Sequence, residues 1–161
     1  MILKTCCDAL ETHALKIAFI ESASSGYLSS QFSIYKNSGA DILLGGLVSY
    51  DPSIKISILK VPENIITQYT AESAEITQAM ATQGKLLFPA ADIIVSCTGL
   101  LKPGGSATAE KPEGTFYICI LYNNQYSDFH YFLEGSPIDR LDQLTALTAK
   151  EVLNVVNAHS H

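Results

Sequence analysis

Short apolar runs alternate along the chain with segments in which apolar residues recur every three or four positions. The runs at residues 16–21, 41–50 and 91–98 predict three buried strands, because such runs are too short for typical helices. Two further β-like runs, at 115–122 and 126–133, flank a short Asn-rich turn and predict an antiparallel hairpin. Helical spacing predicts the other elements, namely a first helix over 2–14, a second ending near 37–39, short helical turns beginning at 51 and 62, a helix over 71–87 capped at Ser73, and a last helix over about 138–156.

This order of helices and strands predicts a three-layer α/β/α sandwich with a mixed β-sheet. We expect a single domain over residues 1–161, since a chain of this length buries roughly 70% of its unfolded surface. The three buried strands end at Ser22, Tyr50 and Gly99. Ligands in open α/β sheets bind at the carboxyl ends of strands, and the long loop at 99–114 follows one of these ends. The sequence therefore predicts a ligand site at this edge of the sheet.

Charge and composition narrow the kind of ligand. The formal net charge is −6 and no Lys/Arg cluster is present, which argues against nucleic-acid and anionic-membrane partners. No apolar run approaches the ~20 residues that span a bilayer, and the first residues do not resemble a signal peptide. The four cysteines and four histidines lack metal-ligand spacing, so no metal or cofactor is expected. We expect a cytoplasmic protein that binds a small molecule.

The candidate site residues also have ordinary structural explanations. Three serines and Gly26 follow the first strand, where the next helix offers unpaired N–H groups to a developing negative charge. Ser22 could equally cap that helix, Tyr50 could be a core residue, and a lone lysine such as Lys55 is usually solvated. The glycine pair in the second strand allows either a β-bulge or a close approach of ligand to backbone.

Three ordered motifs favour a functional interpretation. The chain reads IESASSG at 20–26, LGGLVSYDPSIK at 44–55, and TGLLKPGG followed by EKPEGT between 98 and 115. These resemble the A-E-S-C-T-G-G, L-G-G-V-V-x-Y-x-x-x-x-K and T-G-I-A-G-P-x-G-G with E-K-P-V-G-T motifs of the CinA C-terminal domain family. This domain also occurs alone as nicotinamide mononucleotide deamidase. The resemblance extends from about residue 2 to residue 156.

The resemblance implies metal-free hydrolysis of nicotinamide mononucleotide to nicotinic acid mononucleotide and ammonia, in pyridine nucleotide salvage, by a homo-oligomer. It places the catalytic residues at Ser22, Tyr50 and Lys55. A desolvated lysine can activate a serine, so we expect Lys55 as a surface-directed base, Tyr50 as a proton relay, and amides at 23–26 as oxyanion donors. The substrate-binding residues carried over or expected from the motifs are Glu21, Ser24, Gly26, Gly45, Gly46, Thr98, Gly99, Gly104, Gly105, Lys111 and Arg140.

Two departures from the family pattern favour an alternative. The family's Cys-Thr-Gly after the serine is Ala-Ser-Ser at 23–25. In the tail, the two arginine positions of F-P-G-D-R-x-x-V-R fall on Pro137 and Leu141, and Arg140 lies one residue away, a rotation of about 100° on a helix. The alternative hypothesis is therefore a catalytically silent nucleotide-binding or oligomerisation module with the same fold.

Overall fold

A computed structural model of the chain describes residues 1–36 and 38–159. Asn37, within the predicted end of the second helix, lies outside the described residues, as do Ser160 and His161. A single five-stranded sheet has the order β2-β1-β3-β4-β5. Its strands are β1 (Ile17–Glu21), β2 (Leu43–Val48), β3 (Ile93–Gly99), β4 (Thr115–Tyr122) and β5 (Gln125–Phe132). The helices are α1 (Ile2–Thr12), α2 (Tyr27–Phe32), α3 (Pro52–Ser57), α4 (Glu63–Tyr69), α5 (Ala74–Leu87) and α6 (Pro137–Ala158).

The sheet is mixed and is covered by helices on both faces. Strand β1 runs parallel to β2 and β3, whereas β3, β4 and β5 pair antiparallel. Along β1, Ile17 and Phe19 pack into a core with α1, α2 and α6, while Ala18 and Ile20 pack into a second core with α5. This alternation follows from the period of two along a strand. The predicted three-layer α/β/α architecture is confirmed.

Most elements lie close to their predicted positions. Helix α5 begins after Ser73, whose hydroxyl accepts a hydrogen bond from the Ile76 amide, so the predicted cap is confirmed. Helix α6 begins with a capping box in which Ser136 and Asp139 exchange hydrogen bonds. Among the described residues, no helix combines the length and the apolar character that crossing a membrane requires.

The second strand is not buried, contrary to the prediction. Strand β2 lies at an edge of the sheet, and its side chains alternate between half-buried and exposed, with Leu44 41% and Val48 44% exposed. The predicted bulge is present, because Ile17 pairs with Leu43 but Ala18 pairs with Gly45, which leaves Leu44 as the extra residue.

The glycine pair of β2 allows this strand to pack closely against its neighbours. A Cβ on Gly46 would lie 2.4 Å from the Phe19 carbonyl oxygen of β1. No side chain fits at that distance. Glycine is therefore needed at position 46 because the backbone of β1 lies so close to it. Gly45 adopts a φ of +153° and faces the Phe88 ring. The structure therefore gives Gly45 and Gly46 a structural role in place of the predicted contact with substrate.

Candidate functional site

The carboxyl ends of β1, β2 and β3 lie side by side, as predicted. The Ser22 amide donates a hydrogen bond of 3.0 Å to the Cys97 carbonyl of β3. The Ser49 amide, just past β2, donates one of 2.8 Å to the Glu21 carbonyl of β1. These bonds extend the parallel pairing by one residue on each side of β1. The polar residues that follow the three strands are therefore held at one edge of the sheet.

Ser22 and Lys55 are in direct contact at this edge. Asp51 caps helix α3, and its carboxylate accepts a hydrogen bond of 2.9 Å from the Ser53 amide. The helix places Lys55 over the end of β1, with Nζ 2.8 Å from Ser22 Oγ. Nζ also lies 2.5 Å from the Ser49 carbonyl oxygen and 3.4 Å from the Tyr50 carbonyl oxygen. Two backbone carbonyls thus orient the amine toward the serine.

Lys55 is buried, contrary to the prediction of a surface-directed side chain. It is only 1% exposed. Burial lowers the pKa of Lys55 to about 8, and the negative charges of Glu72 and Asp51 oppose that change. A neutral amine has two N–H donors and one lone pair. The two carbonyls can accept both donors, which leaves the lone pair for the hydroxyl proton of Ser22.

Glu21 does not face the ligand site. Its carboxylate is completely buried, and one oxygen accepts from the Leu28 amide at 2.9 Å. The other oxygen accepts from the amide and the hydroxyl of Ser29 at 3.0 and 2.7 Å. Helix α2 has only six residues, and this carboxylate occupies its first amides. The predicted substrate contact of Glu21 is therefore replaced by a structural one, and the dipole of α2 is not available to a bound anion.

The turn between β1 and α2 leaves two amides without partners. The Ser25 amide bonds to the Ser22 carbonyl, and the Tyr27 amide bonds to the Ser24 carbonyl. Within the described part of the chain, the amides of Ala23 and Ser24 make no hydrogen bond. Ala23 also lines a cleft beside Ser22. These two amides are the donors nearest in sequence to the Ser22 hydroxyl.

The side chains of this turn contribute less than predicted. Ser24 is 2% exposed and its hydroxyl lies against the buried Cys97 thiol of β3, so the side chain lies in the interior and not in the cleft. Gly26 adopts a φ of +92°, in the left-handed region that favours glycine, and begins α2. The structure thus assigns Gly26 to the turn and the Ser24 side chain to the core, whereas both were predicted to contact substrate.

A cleft of about 150 Å³ lies beside the Ser22 and Lys55 pair. Its lining residues come from the ends of all three parallel strands and from the segment before α5, namely Ala23, Tyr50, Glu72 and residues 99–105. Tyr50 is 55% exposed, and within the described residues its hydroxyl makes no hydrogen bond. Because Lys55 contacts Ser22 directly, no relay through Tyr50 is needed. Tyr50 instead contributes a wall of the cleft and a carbonyl to Lys55.

The third motif, TGLLKPGG at 98–105, forms a turn that lines the cleft and packs closely against β4. Gly99 is required by packing, since a Cβ there would lie 2.1 Å from the Phe116 ring. Gly104 and Gly105 have φ values of +107° and +62°, and both line the cleft. The Thr98 hydroxyl lies 2.8 Å from that of Thr77 on α5 and is buried, so it is turned away from the cleft. Of these four predicted residues, the three glycines line the cleft and Thr98 does not.

Lys111 holds two loops together and does not project into the cleft. Its ammonium donates to Thr70 Oγ1 at 2.6 Å and to the Glu72 carbonyl at 2.7 Å. The same loop is bonded to Glu72 a second time, through a hydrogen bond of 2.5 Å from Ser106 Oγ to the carboxylate. No motif pointed to Glu72 or Ser106, because their contact joins segments 34 residues apart. The predicted role of Lys111 as a free cation for a phosphate is not seen.

Arg140 is likewise engaged within the protein. Its guanidinium donates to the Leu133 carbonyl at 3.0 Å and to the Leu101 carbonyl at 2.9 Å. It also forms an ion pair with Glu113 at 2.7 Å. Arg140 is buried on α6 and fastens the cleft loop to the end of β5. The structure assigns it this fastening role, where a phosphate contact was predicted.

Fold and site together define an α/β/α protein with a serine–lysine pair at the carboxyl edge of a mixed sheet. The chain belongs to the CinA family, because the model of the CinA C-terminal domain matches residues 1–157. A CinA-like protein of Thermotoga neapolitana is 32% identical over 94% of this chain and 35% of its own length. One from Citrifermentans bemidjiense is 31% identical over 89% of this chain and 34% of its own length. The chain thus spans about a third of these curated relatives.

Solved structures agree with this fold. A CinA superfamily protein from Klebsiella pneumoniae superposes with a TM-score of 0.89 at 19% identity, covering 98% of this chain and 96% of that one. A competence or damage-inducible protein from Enterobacter asburiae gives 0.87 at 21% identity, covering 96% of each chain. At these identities the likeness establishes the architecture and not the activity.

Proposed function

We propose that the chain is an amidohydrolase that releases ammonia from the carboxamide of nicotinamide mononucleotide, with Ser22 as nucleophile and Lys55 as its base. The observation that carries this proposal is the 2.8 Å contact between Lys55 Nζ and Ser22 Oγ, next to the cleft that Ala23 and Tyr50 line. Burial lowers the pKa of Lys55 to about 8, so a useful fraction is neutral near physiological pH. The substrate follows from the family resemblance.

In the acylation step, Lys55 Nζ takes the proton of Ser22 Oγ as the oxygen attacks the amide carbon. The carbonyl oxygen gains negative charge and accepts hydrogen bonds from the unpartnered amides of Ala23 and Ser24. The Lys55 ammonium then gives its proton to the amide nitrogen. The carbon–nitrogen bond breaks, ammonia leaves, and an ester to Ser22 remains.

In the deacylation step, a water molecule replaces ammonia beside Lys55. Nζ takes a proton from that water, and the oxygen attacks the ester carbon. The second tetrahedral intermediate collapses with return of the proton to Ser22 Oγ, which releases the carboxylic acid. Throughout both steps the carbonyls of Ser49 and Tyr50 hold Nζ in one position, whether the amine is neutral or charged.

The experiment that tests this proposal compares ammonia release by the wild type, Ser22→Ala and Ser25→Ala. Ser25 lies in the same turn with an exposed side chain, so it is a matched control for loss of a hydroxyl. We expect Ser25→Ala to retain turnover and Ser22→Ala to lose about a thousandfold or more in kcat. Equal release by Ser22→Ala and wild type would rule out Ser22 as the nucleophile.

A second candidate function is a catalytically silent nucleotide-binding module. This candidate is favoured because Lys111 bonds to the Glu72 carbonyl and Arg140 pairs with Glu113. Neither cation is then free to hold the phosphate of a nucleotide substrate. Calorimetric titration separates the two candidates. Binding of nicotinamide mononucleotide to wild-type protein without ammonia release supports the silent module, whereas turnover excludes it.

A further inference from the structure

The segment before α5 is held in an uncommon backbone conformation next to the cleft. Thr70 has φ +69° and ψ 160°, a region that is almost restricted to glycine and is costly for a β-branched residue. Lys111 donates to both the Thr70 hydroxyl and the Glu72 carbonyl, and so fixes this segment against the cleft loop. Such backbone outliers persist only where surrounding contacts enforce them. Here the result of these contacts is a fixed position for Glu72.

Among the described residues, one oxygen of the Glu72 carboxylate accepts a hydrogen bond and the other does not. Oε2 accepts the hydrogen bond from Ser106 Oγ. Oε1 lies near Gly105, 3.8 Å from the point that a Cβ there would take, and within the described residues it accepts no hydrogen bond. Glu72 is half-buried and lines the cleft together with Tyr50 and Ala23. A carboxylate oxygen is thus presented to whatever occupies the cleft.

Among the described residues, no side-chain cation forms an ion pair with Glu72. Lys111 bonds to its carbonyl and not to its carboxylate, and Arg140 pairs with Glu113. Lys55 forms no ion pair with Glu72 among the described residues, although the negative charge of Glu72 raises the pKa of Lys55 against the effect of burial. Lys102, which also lines the cleft, is exposed, and it forms no ion pair with any of the described residues. The Glu72 carboxylate therefore faces the cleft without a paired cation, and a ligand with a positive charge would complement it.

We propose that Glu72 is a specificity-determining residue that recognises a positive charge on the ring bearing the carboxamide. The chemical class is an N-substituted pyridinium carboxamide, in which the ring nitrogen is quaternary and the cation is delocalised over the ring. A neutral amide of the same shape lacks this attraction. The inference rests on the proposed function, because it takes the cleft beside Ser22 and Lys55 as the place where the carboxamide binds.

The test measures binding in the Ser22→Ala background, so that no ligand is consumed. Calorimetric titration uses nicotinamide mononucleotide and its reduced dihydro form, which keeps the ribose, phosphate and carboxamide but has an uncharged ring. Glu72→Gln retains an oxygen for the Ser106 hydrogen bond while removing the charge. We expect Glu72→Gln to weaken binding of the charged ligand about tenfold and that of the dihydro form less than twofold. Glu75→Gln, an exposed change of the same kind at the start of α5, should alter neither.

Equal effects of Glu72→Gln on both ligands, or no effect on either, would overturn the recognition of charge. Failure of Ser22→Ala to bind nicotinamide mononucleotide would overturn it as well. The proposed function fails on a different measurement, namely the absence of ammonia release by the wild-type protein. If release is absent but binding still distinguishes the two ligands through Glu72, the inference about Glu72 stands and the cleft belongs to the silent module.

Discussion

Lowering the pH below the pKa of Lys55 should switch off the proposed reaction. The base must be neutral to accept the proton of Ser22, and protonation fills the lone pair that faces Oγ. Because burial lowers the pKa of Lys55 to about 8, the relevant titration falls close to neutral pH and not near the ordinary lysine value of 10.5. We therefore expect kcat/KM to rise with pH and to level off above about pH 9.

The size of this effect follows from the same pKa. A change from 10.5 to about 8 corresponds to roughly 3 kcal/mol of destabilisation of the ammonium form by burial. At pH 6 only about 1% of Lys55 is then neutral, so kcat/KM should be about 50-fold below its value at pH 8. Each further unit of acidification should lower kcat/KM about another tenfold until the protein itself unfolds.

The assay is ammonia release at limiting nicotinamide mononucleotide between pH 6 and pH 10, with circular dichroism at each pH to confirm folding. Glu72→Gln supplies a directional control, because removing that negative charge removes one of the two effects that raise the pKa of Lys55. The acidic limb should therefore shift to lower pH in this variant. A profile that stays flat between pH 6 and pH 9 would refute the assignment of Lys55 as the titrating base.

Three further predictions concern the stability of the protein and its choice of substrate. Lys55→Met should abolish turnover without lowering the midpoint of thermal unfolding at pH 7. The variant loses the hydrogen bonds of Lys55, but it also avoids the cost of burying an ammonium group, and the two effects offset each other. Differential scanning calorimetry measures the midpoint. Wild-type stability should rise between about pH 8 and 10.5, where the unfolded chain binds more protons, and Lys55→Met should lack that rise. Nicotinamide riboside should be used within about tenfold of the mononucleotide in kcat/KM, since Lys111 and Arg140 are engaged; a preference above a hundredfold would contradict this.

Periodicity predicted the architecture, including the strands and the long helices. The resemblance to the CinA family indicated Ser22 and Lys55, and the structure brings these two side chains into contact. The position of β2 at the sheet edge could not be predicted, because an apolar run has the same local pattern in a central and an edge strand. Strand order depends on pairing between distant segments, and that information is not present in any one run.

Three residues that were predicted to bind substrate instead bond within the protein, and they do so for one physical reason. Glu21, Lys111 and Arg140 are charged groups in or near family motifs, so a ligand contact was the natural expectation. Each instead satisfies backbone donors or acceptors of another segment, from the first amides of α2 to the carbonyls of Leu101 and Leu133. A buried polar group needs partners, and whether they come from the protein or from a ligand is decided by tertiary contacts that sequence spacing does not encode.

The departures from the family pattern in the turn after Ser22 affect side chains more than the backbone that the reaction would use. Ala23 lines the cleft, and Ser25 reaches a φ of +51° although it stands where the family has glycine. The turn therefore closes, and Ser22 meets Lys55 at 2.8 Å. The engaged cations Lys111 and Arg140 instead alter how an anionic ligand would be held. It follows that these features bear on which ligand the proposed site would bind, and that the contact between Ser22 and Lys55 is preserved.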